Sequence, residues 1–190
     1  MTSHTGRSTS VQARARAWLP WLLAVLAMLA ASAPASPQPT TRPITRAPLP
    51  LIPMPARIEV ASGHHRLAAD TALRYRDPAA AKVARQFADL LARTTGLELV
   101  PSPTADTSTH PASGIGFALD PALDIPAEGY RLSIDEQHID LVASDPAGLY
   151  YGAVTLWQLI EAAASQSSGD PAVPALRIED APRFGWRGYM

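Results

Sequence analysis

The sequence contains no cysteine. That excludes a disulfide framework, a zinc–thiolate centre and a thiol nucleophile. It contains no asparagine either, so it offers no acceptor for N-glycosylation. Lys82 is the only lysine, and every other basic side chain but the histidines is an arginine. The formal net charge is −1, which gives no electrostatic basis for nucleic acid or an anionic membrane surface as a partner. Three catalytic signatures are missing as well: His-Glu-x-x-His, Gly-x-Ser-x-Gly and a phosphate loop. Gly114-x-Gly116 lacks a third glycine and a following helix, so close strand packing explains it better than a dinucleotide. His64 and His65 are neighbours that a strand would point to opposite faces, hence poor joint metal ligands, and a surface turn is expected there. His110 and His138 stand alone and are expected to face solvent. No cofactor and no metal is implied.

What is present is the composition of a globular protein. Of 190 residues, 47% are hydrophobic and 17% charged, enough for one ordinary domain with extensions. Residues 1–35 read as a secretory signal peptide. Arg7, Arg14 and Arg16 form a basic start without an acidic residue, residues 18–31 (WLPWLLAVLAMLAA) are apolar, and Ala33-Pro34-Ala35 provides a small-residue exit. The run is shorter than the roughly 20 apolar residues of a membrane span and holds Pro20, so cleavage is expected rather than a stable membrane anchor. Arg14 and Arg16 are not adjacent, which argues against twin-arginine export, and no cysteine follows for lipidation. Periplasmic or secreted localisation is the expectation. Loss of the three leader arginines would take the charge to about −4. Residues 36–50 (SPQPTTRPITRAPLP) are rich in Pro, Thr and Ser, without periodicity, and read as a linker.

The folded domain is expected over residues 51–178. Residues 57–60 (RIEV) should be a short strand, Gly63 a turn, and 65–67 and 73–75 further short strands. Asp77-Pro78 is an N-cap followed by proline at the first helical position. Val83, Phe87, Leu90 and Leu91 then recur at helical spacing up to Gly96, a C′ glycine. Residues 97–100 (LELV) should return as a strand, residues 101–113 form a loop, and 114–119 (GIGFAL) is another strand. Residues 129–135 (GYRLSID) and 138–144 (HIDLVAS) alternate and are separated only by Glu136-Gln137, so they should pair as an antiparallel hairpin. Asp145-Pro146 starts a second helix with a wide apolar face. Gly148 and Gly152 would let it sit close to its neighbour, and residues 162–170 fade into a loop. The expected fold class is α+β: a small, mostly antiparallel sheet with two helices packed on one face.

Four stretches, in order, resemble the β-N-acetylhexosaminidases of glycoside hydrolase family 20: LIPMP at 51–55, EGYRLSI at 128–134, DPAGLYYGAVTLWQLI at 145–160 and EDAPRFGWRGYM at 179–190. The resemblance covers residues 51–190. It implies that the α/β domain is an accessory module preceding a TIM barrel, and that residues 179–190 are a junction and the severed start of that barrel. The next family features, a Leu-Asp and an Arg-His, and the later Asp-Glu acid pair, would lie beyond Met190. Asp135-Glu136 falls in a hairpin turn and is not that pair.

The implied activity is exo-acting hydrolysis of terminal β-linked N-acetylhexosamine by a substrate-assisted, retaining route. No catalytic residue is expected in this chain, which alone should be inactive. The implied partners are terminal N-acetylhexosamine glycans through the full enzyme, and the missing barrel through intramolecular packing. One site residue carries over. Arg187, between Trp186 and Gly188, matches an arginine at the end of the first barrel strand that binds sugar hydroxyls, a task suited to a planar, permanently charged fork of donors. Without the resemblance, Arg187 reads first as a structural arginine at a domain junction. Arg183 is expected to pair with Glu179 or Asp180, and Trp186 and Tyr189 to be barrel core. Two other readings remain at this level: a non-catalytic module that binds a glycan or partner, and the accessory domain of a different glycoside hydrolase.

Overall fold

The computed structural model describes residues 49–104 and 113–184. The chain divides into Met1–Arg46 and Ala47–Met190, and all described residues belong to the second unit. The expected leader, most of the linker, and Trp186, Arg187 and Tyr189 therefore lie outside the described residues.

The elements are β1 (Arg57–Arg66), β2 (Leu73–Tyr75), α1 (Pro78–Thr95), β3 (Pro101–Pro103), β4 (Gly114–Leu119), β5 (Tyr130–Ile134), β6 (His138–Ala143), α2 (Pro146–Ser165) and β7 (Ala172–Asp180). They form one seven-stranded sheet in the order β1-β7-β5-β6-β4-β2-β3. From β1 to β6 the ladders are antiparallel, and from β6 to β3 they are parallel. The class is α+β with two helices, and the sheet is evenly mixed. The parallel half follows from α1, which carries the chain from β2 to its neighbour β3 as a crossover helix.

Alternation in the strands decides which face is covered. Leu132, Ile134, Ile139, Leu141, Ile115, Phe117, Leu176 and Ile178 point at the helices and are buried. Arg57, Glu59, Arg131 and Arg177 point the other way and are exposed. The helices complete one continuous core through Val83, Phe87 and Leu91 of α1 and Leu149, Leu156 and Ile160 of α2. Phe87 meets Phe117 with ring centroids 5.3 Å apart.

Both helices begin as the sequence indicates, and each cap does a second job. Asp77 accepts from Ala80 N–H (2.8 Å) through Oδ1 and from Leu119 N–H (3.2 Å) through Oδ2. Asp145 accepts from Ala147 and Gly148 N–H (both 2.9 Å) through Oδ1 and from Glu128 N–H (2.7 Å) through Oδ2. Each aspartate thus starts a helix and ties that start to a distant loop or strand end. Gly148 and Gly152 allow the close approach expected of them. A Cβ at Gly148 would fall on the Gly129 carbonyl oxygen, and one at Gly152 on Leu141, with the Tyr130 ring 2.8 Å away.

Several expectations change. β1 is one strand of ten residues, not two short ones, because a bulge between Val60 and His64 absorbs the irregularity around Gly63. His64 is exposed and His65 is only 3% exposed, so this pair is a strand segment and not a surface turn. Leu97–Val100 is not a strand. Leu97 and Leu99 pack on the core from an irregular segment, while Val100 is exposed. Strand β3 occupies Pro101–Pro103 instead, at the sheet edge, where proline is tolerated. β7 is absent from the expected strands, yet it lies between β1 and β5. Its Pro174 faces His64 beside the bulge, past the end of the β5 ladder, which is why a proline fits inside this sheet.

Candidate functional site

The concave feature nearest the end of the described chain is an open groove of about 650 Å³. Three segments build it. One wall is residues 51–55. Leu51 and Pro55 are buried at its two ends, and Ile52, Pro53 and Met54 stand out between them. Gln158 of α2 pins this strap by mimicking a strand edge: its Oε1 accepts from Ile52 N–H and its Nε2 donates to the Ile52 carbonyl, both at 2.9 Å. Ala56 N–H donates to Asp180 Oδ1 (3.0 Å), closing the strap onto the end of β7. The opposite wall is the segment from Asp180 to Phe184.

The floor comes from α2 and β5. Tyr130 is buried against Gly152, and its hydroxyl lies 2.7 Å from Thr155 Oγ1. Burial, with the nearby Asp180 carboxylate adding to it against the Thr155 hydrogen bond, pushes the Tyr130 hydroxyl up to about 12. It therefore stays protonated and neutral at any physiological pH. Glu128 enters from the turn before β5 in the left-handed region, φ 60. Such backbone costs a non-glycine residue roughly 1 kcal/mol and persists when neighbours hold it. The neighbour here is Asp145 Oδ2.

The groove is apolar at its rim. Four of the six large hydrophobic residues exposed among those described line it: Ile52 (83%), Phe184 (73%), Met54 (54%) and Tyr151 (38%). Glu128, Asp180 and Arg183 provide charge around them. The described groups can shape and cover a surface. They do not present a nucleophile with its base, and among the described residues no cluster of three metal-ligating side chains occurs.

Only some of the residues singled out from sequence meet at this groove. Arg187, the expected sugar-binding residue, lies outside the described residues. Arg183 lies exposed on the groove wall, and the expected pairing with Glu179 or Asp180 is not formed. Glu179 instead joins Arg57 (3.2 Å) and Arg131 (3.1 Å) across three strands on the open face, because both arginines stand level with it in the ladders. Asp180 is taken by Ala56. Asp135-Glu136 is a hairpin turn, as expected: Asp135 Oδ1 accepts from Gln137 and His138 N–H at 2.8 and 2.7 Å. His138 is part-buried and lies 3.3 Å from that carboxylate, not alone in solvent. Sequence reasoning missed Gln158, Ile52 and Met54. The available signal was two apolar residues set among prolines, in a segment with no periodicity to bury them.

The described residues thus form a two-helix, mixed-sheet domain with an apolar-rimmed groove beside the end of β7. Residues 49–181 match the model of glycosyl hydrolase family 20, domain 2. The chain belongs to glycoside hydrolase family 20. It is 39% identical over 101 residues to a β-N-acetylhexosaminidase of Cellulomonas fimi, covering 53% of this chain and 19% of that one. It is 29% identical over 143 residues to the N,N'-diacetylchitobiase of Vibrio harveyi, covering 74% and 14%. Among solved structures, the family 20 β-N-acetylhexosaminidase of Streptomyces coelicolor superposes with a TM-score of 0.61 at 33% identity, covering 74% of this chain and 28% of that one. The chain therefore spans less than a fifth of these curated relatives and less than a third of this solved structure.

Proposed function

We propose that this chain is the N-terminal part of an exo-acting β-N-acetylhexosaminidase, and that its α/β domain supports a catalytic barrel encoded beyond it. The observation that carries this reading is the family match over residues 49–181. The substrates would be glycans with a terminal β-linked N-acetylhexosamine, in chitin or other amino-sugar polymers. The names of the Cellulomonas fimi and Vibrio harveyi relatives support that class.

Family 20 is itself one of the stated exceptions to the two-carboxylate scheme of glycoside hydrolysis. The 2-acetamido oxygen of the substrate attacks the anomeric carbon as the glycosidic bond breaks. A glutamic acid gives its proton to the departing oxygen. An aspartate orients the acetamido group and stabilises its developing charge. Water then opens the cyclic intermediate, and configuration is retained. None of these carboxylates belongs to residues 1–190, so the domain acts by holding the barrel and not by touching the sugar. Arg187 would donate to hydroxyls of the terminal sugar once the other barrel strands surround it. The leader would deliver the protein to the periplasm or the medium.

The test is release of an aryl leaving group from an aryl N-acetyl-β-glucosaminide. Residues 36–190 are expected to give no turnover, and the polypeptide extended through its reading frame is expected to give retained-configuration product. Turnover by residues 36–190 would refute the placement of catalysis. An inactive extended polypeptide would refute the enzyme reading and favour a non-catalytic module.

A further inference from the structure

His65 is the only buried polar side chain among the described residues, at 3% exposure. Neither the groove nor the proposed reaction uses it. It sits where the sheet is least regular. The β1–β7 register slips between Val60 and His64, and the β5–β7 ladder ends at Ile134 and Leu176. Past that end, β5 turns into β6 through Asp135, Glu136 and Gln137. Two contacts join this turn to the β1 bulge, reaching across β7, which lies between β1 and β5. The first is from the His65 ring, whose Nδ1 is 3.1 Å from the Asp135 carbonyl oxygen. A carbonyl only accepts, so the neutral ring carries its proton on Nδ1 and donates it there. The second is from Glu136, whose side chain lies over Gly63, with Oε1 2.7 Å from where a Cβ would stand.

We infer that His65 makes this junction an acid-operated latch: a neutral ring holds the β5–β6 turn on the β1 bulge, and a second proton on the ring releases it. The latch lies wholly within the described domain and is independent of the proposed function.

The surroundings set the direction of the response. The groups of the turn that act on the ring are Asp135 and His138, themselves a pair with His138 Nδ1 3.3 Å from Asp135 Oδ1. Burial is the main force holding the His65 ring below its ordinary value. The bond to the Asp135 carbonyl and the Asp135 carboxylate oppose it, and His138 adds to it. Opposite this part of β1, β7 offers only Ala172, Val173 and Pro174, none of which titrates. On β1 itself, His64 and Arg66 are exposed. Asp135 is not the sensor. Desolvation pushes its carboxyl up, but the Gln137 and His138 N–H bonds and His138 itself outweigh that and hold it below the usual carboxylate range. It therefore stays ionised while His65 titrates. The closed latch resists the second proton and the open latch accepts it, so closure is favoured above about pH 6.5 and loses ground as pH falls below it. Going from pH 7.5 to 5.5 should raise the open population about tenfold, the ratio of proton uptake by an ordinary imidazole at the two values.

Amide hydrogen exchange in the 190-residue chain tests this, expressed as protection factors so that the intrinsic pH dependence of exchange cancels. Gly114 N–H donates to the Gln137 carbonyl (3.0 Å) and His138 N–H to Asp135 Oδ1 (2.7 Å), so both report whether the turn is seated. Leu132 and Leu141, paired in the adjoining strands, report global unfolding. Between pH 7.5 and 5.5, protection at Gly114 and His138 should fall about tenfold. Dilute urea, which favours states that expose much surface, should lower protection at Leu132 and Leu141 but not at these two. H65N keeps a donor near the Nδ1 position without titrating, and its protection at Gly114 should not change with pH. H138Q should keep most of the fall at Gly114, because burial and not His138 is the main force on the ring. Protection at Gly114 and His138 that is level with pH in the parent overturns the latch, whether or not H65N folds. So does a fall that urea accelerates as strongly as at Leu132, which is global unfolding, or one that H138Q abolishes, which belongs to the Asp135–His138 pair.

Discussion

Replacing Asp145 tests the double role of the helix caps. The carboxylate holds three backbone N–H groups: Ala147 and Gly148 at the start of α2, and Glu128 in the turn before β5. Losing an N-cap aspartate costs about 1 kcal/mol. The Glu128 N–H is part-buried and would lose its acceptor at 2.7 Å, which costs about 1–3 kcal/mol more. D145A should therefore lose about 2–4 kcal/mol, a shift in Tm of roughly 10 °C for a domain of this size. The informative variant is D145N. Asparagine caps helices about as well as aspartate, so a capping account alone predicts a near-parent protein. On the double account, the amide can offer oxygen to only one side. Its NH₂ then faces either the helix N–H groups or Glu128, a donor against a donor. D145N should fall clearly below the parent, by about 1–2 kcal/mol. Urea unfolding of the 190-residue chain followed by circular dichroism reads all three proteins. A D145N midpoint equal to the parent, with D145A lower by only the cap value, would refute the reasoning. At Asp77 the second bond is longer, 3.2 Å, so D77N should be milder than D145N.

Packing and protonation give two further outcomes. G152V should prevent accumulation of soluble folded protein, since Leu141 and the Tyr130 ring occupy the space its side chain would need and both belong to the core floor, whereas G169V, in open space, should be tolerated; soluble yield and circular dichroism distinguish them. Burial holds the His65 imidazole below its usual value despite its hydrogen bond to the Asp135 carbonyl (3.1 Å) and the Asp135 carboxylate nearby. The unfolded chain then binds a proton that the folded one resists, so His65 contributes stability above about pH 6.5 that is lost as pH falls below it. Urea midpoints measured from pH 7.5 to 5 should decline in the parent and decline less in H65Q. An equal decline in both would remove His65 as the cause.

Much of the fold was legible because its signals are local. Asp-Pro at 77–78 and 145–146, and the alternation of 130–134 against 138–143, each announce an element within a few residues. What was misread depends on residues far apart. Leu97–Val100 alternates like a strand, but Leu97 and Leu99 pack on the core from an irregular segment, and the sheet is completed by Pro101–Pro103 instead. β7 hides behind Pro174, which is acceptable because it lies beside the bulge in β1, more than a hundred residues earlier, and past the end of the β5 ladder. The groove was invisible for the same reason. Gln158 meets Ile52 across 106 residues, and no periodicity reports such a bond. Nearness in sequence points Arg183 to Glu179 or Asp180, whereas cross-strand register gives Glu179 to Arg57 and Arg131, and Asp180 accepts from Ala56 N–H.

The place of β7 sets an order of events during synthesis. Of the described strands, β1 is the first to leave the ribosome, and its neighbour among them in the sheet, β7, is the last. While the intervening elements are made, β1 is an unpaired edge of ten residues looking for a partner it cannot yet have. Such a strand invites pairing with another chain. Its bulge, and the exposed Arg57, Glu59 and Arg66 along it, make it a poor template for a stranger during that wait. The irregularity that lets Pro174 into the finished sheet also guards the nascent chain until Pro174 arrives.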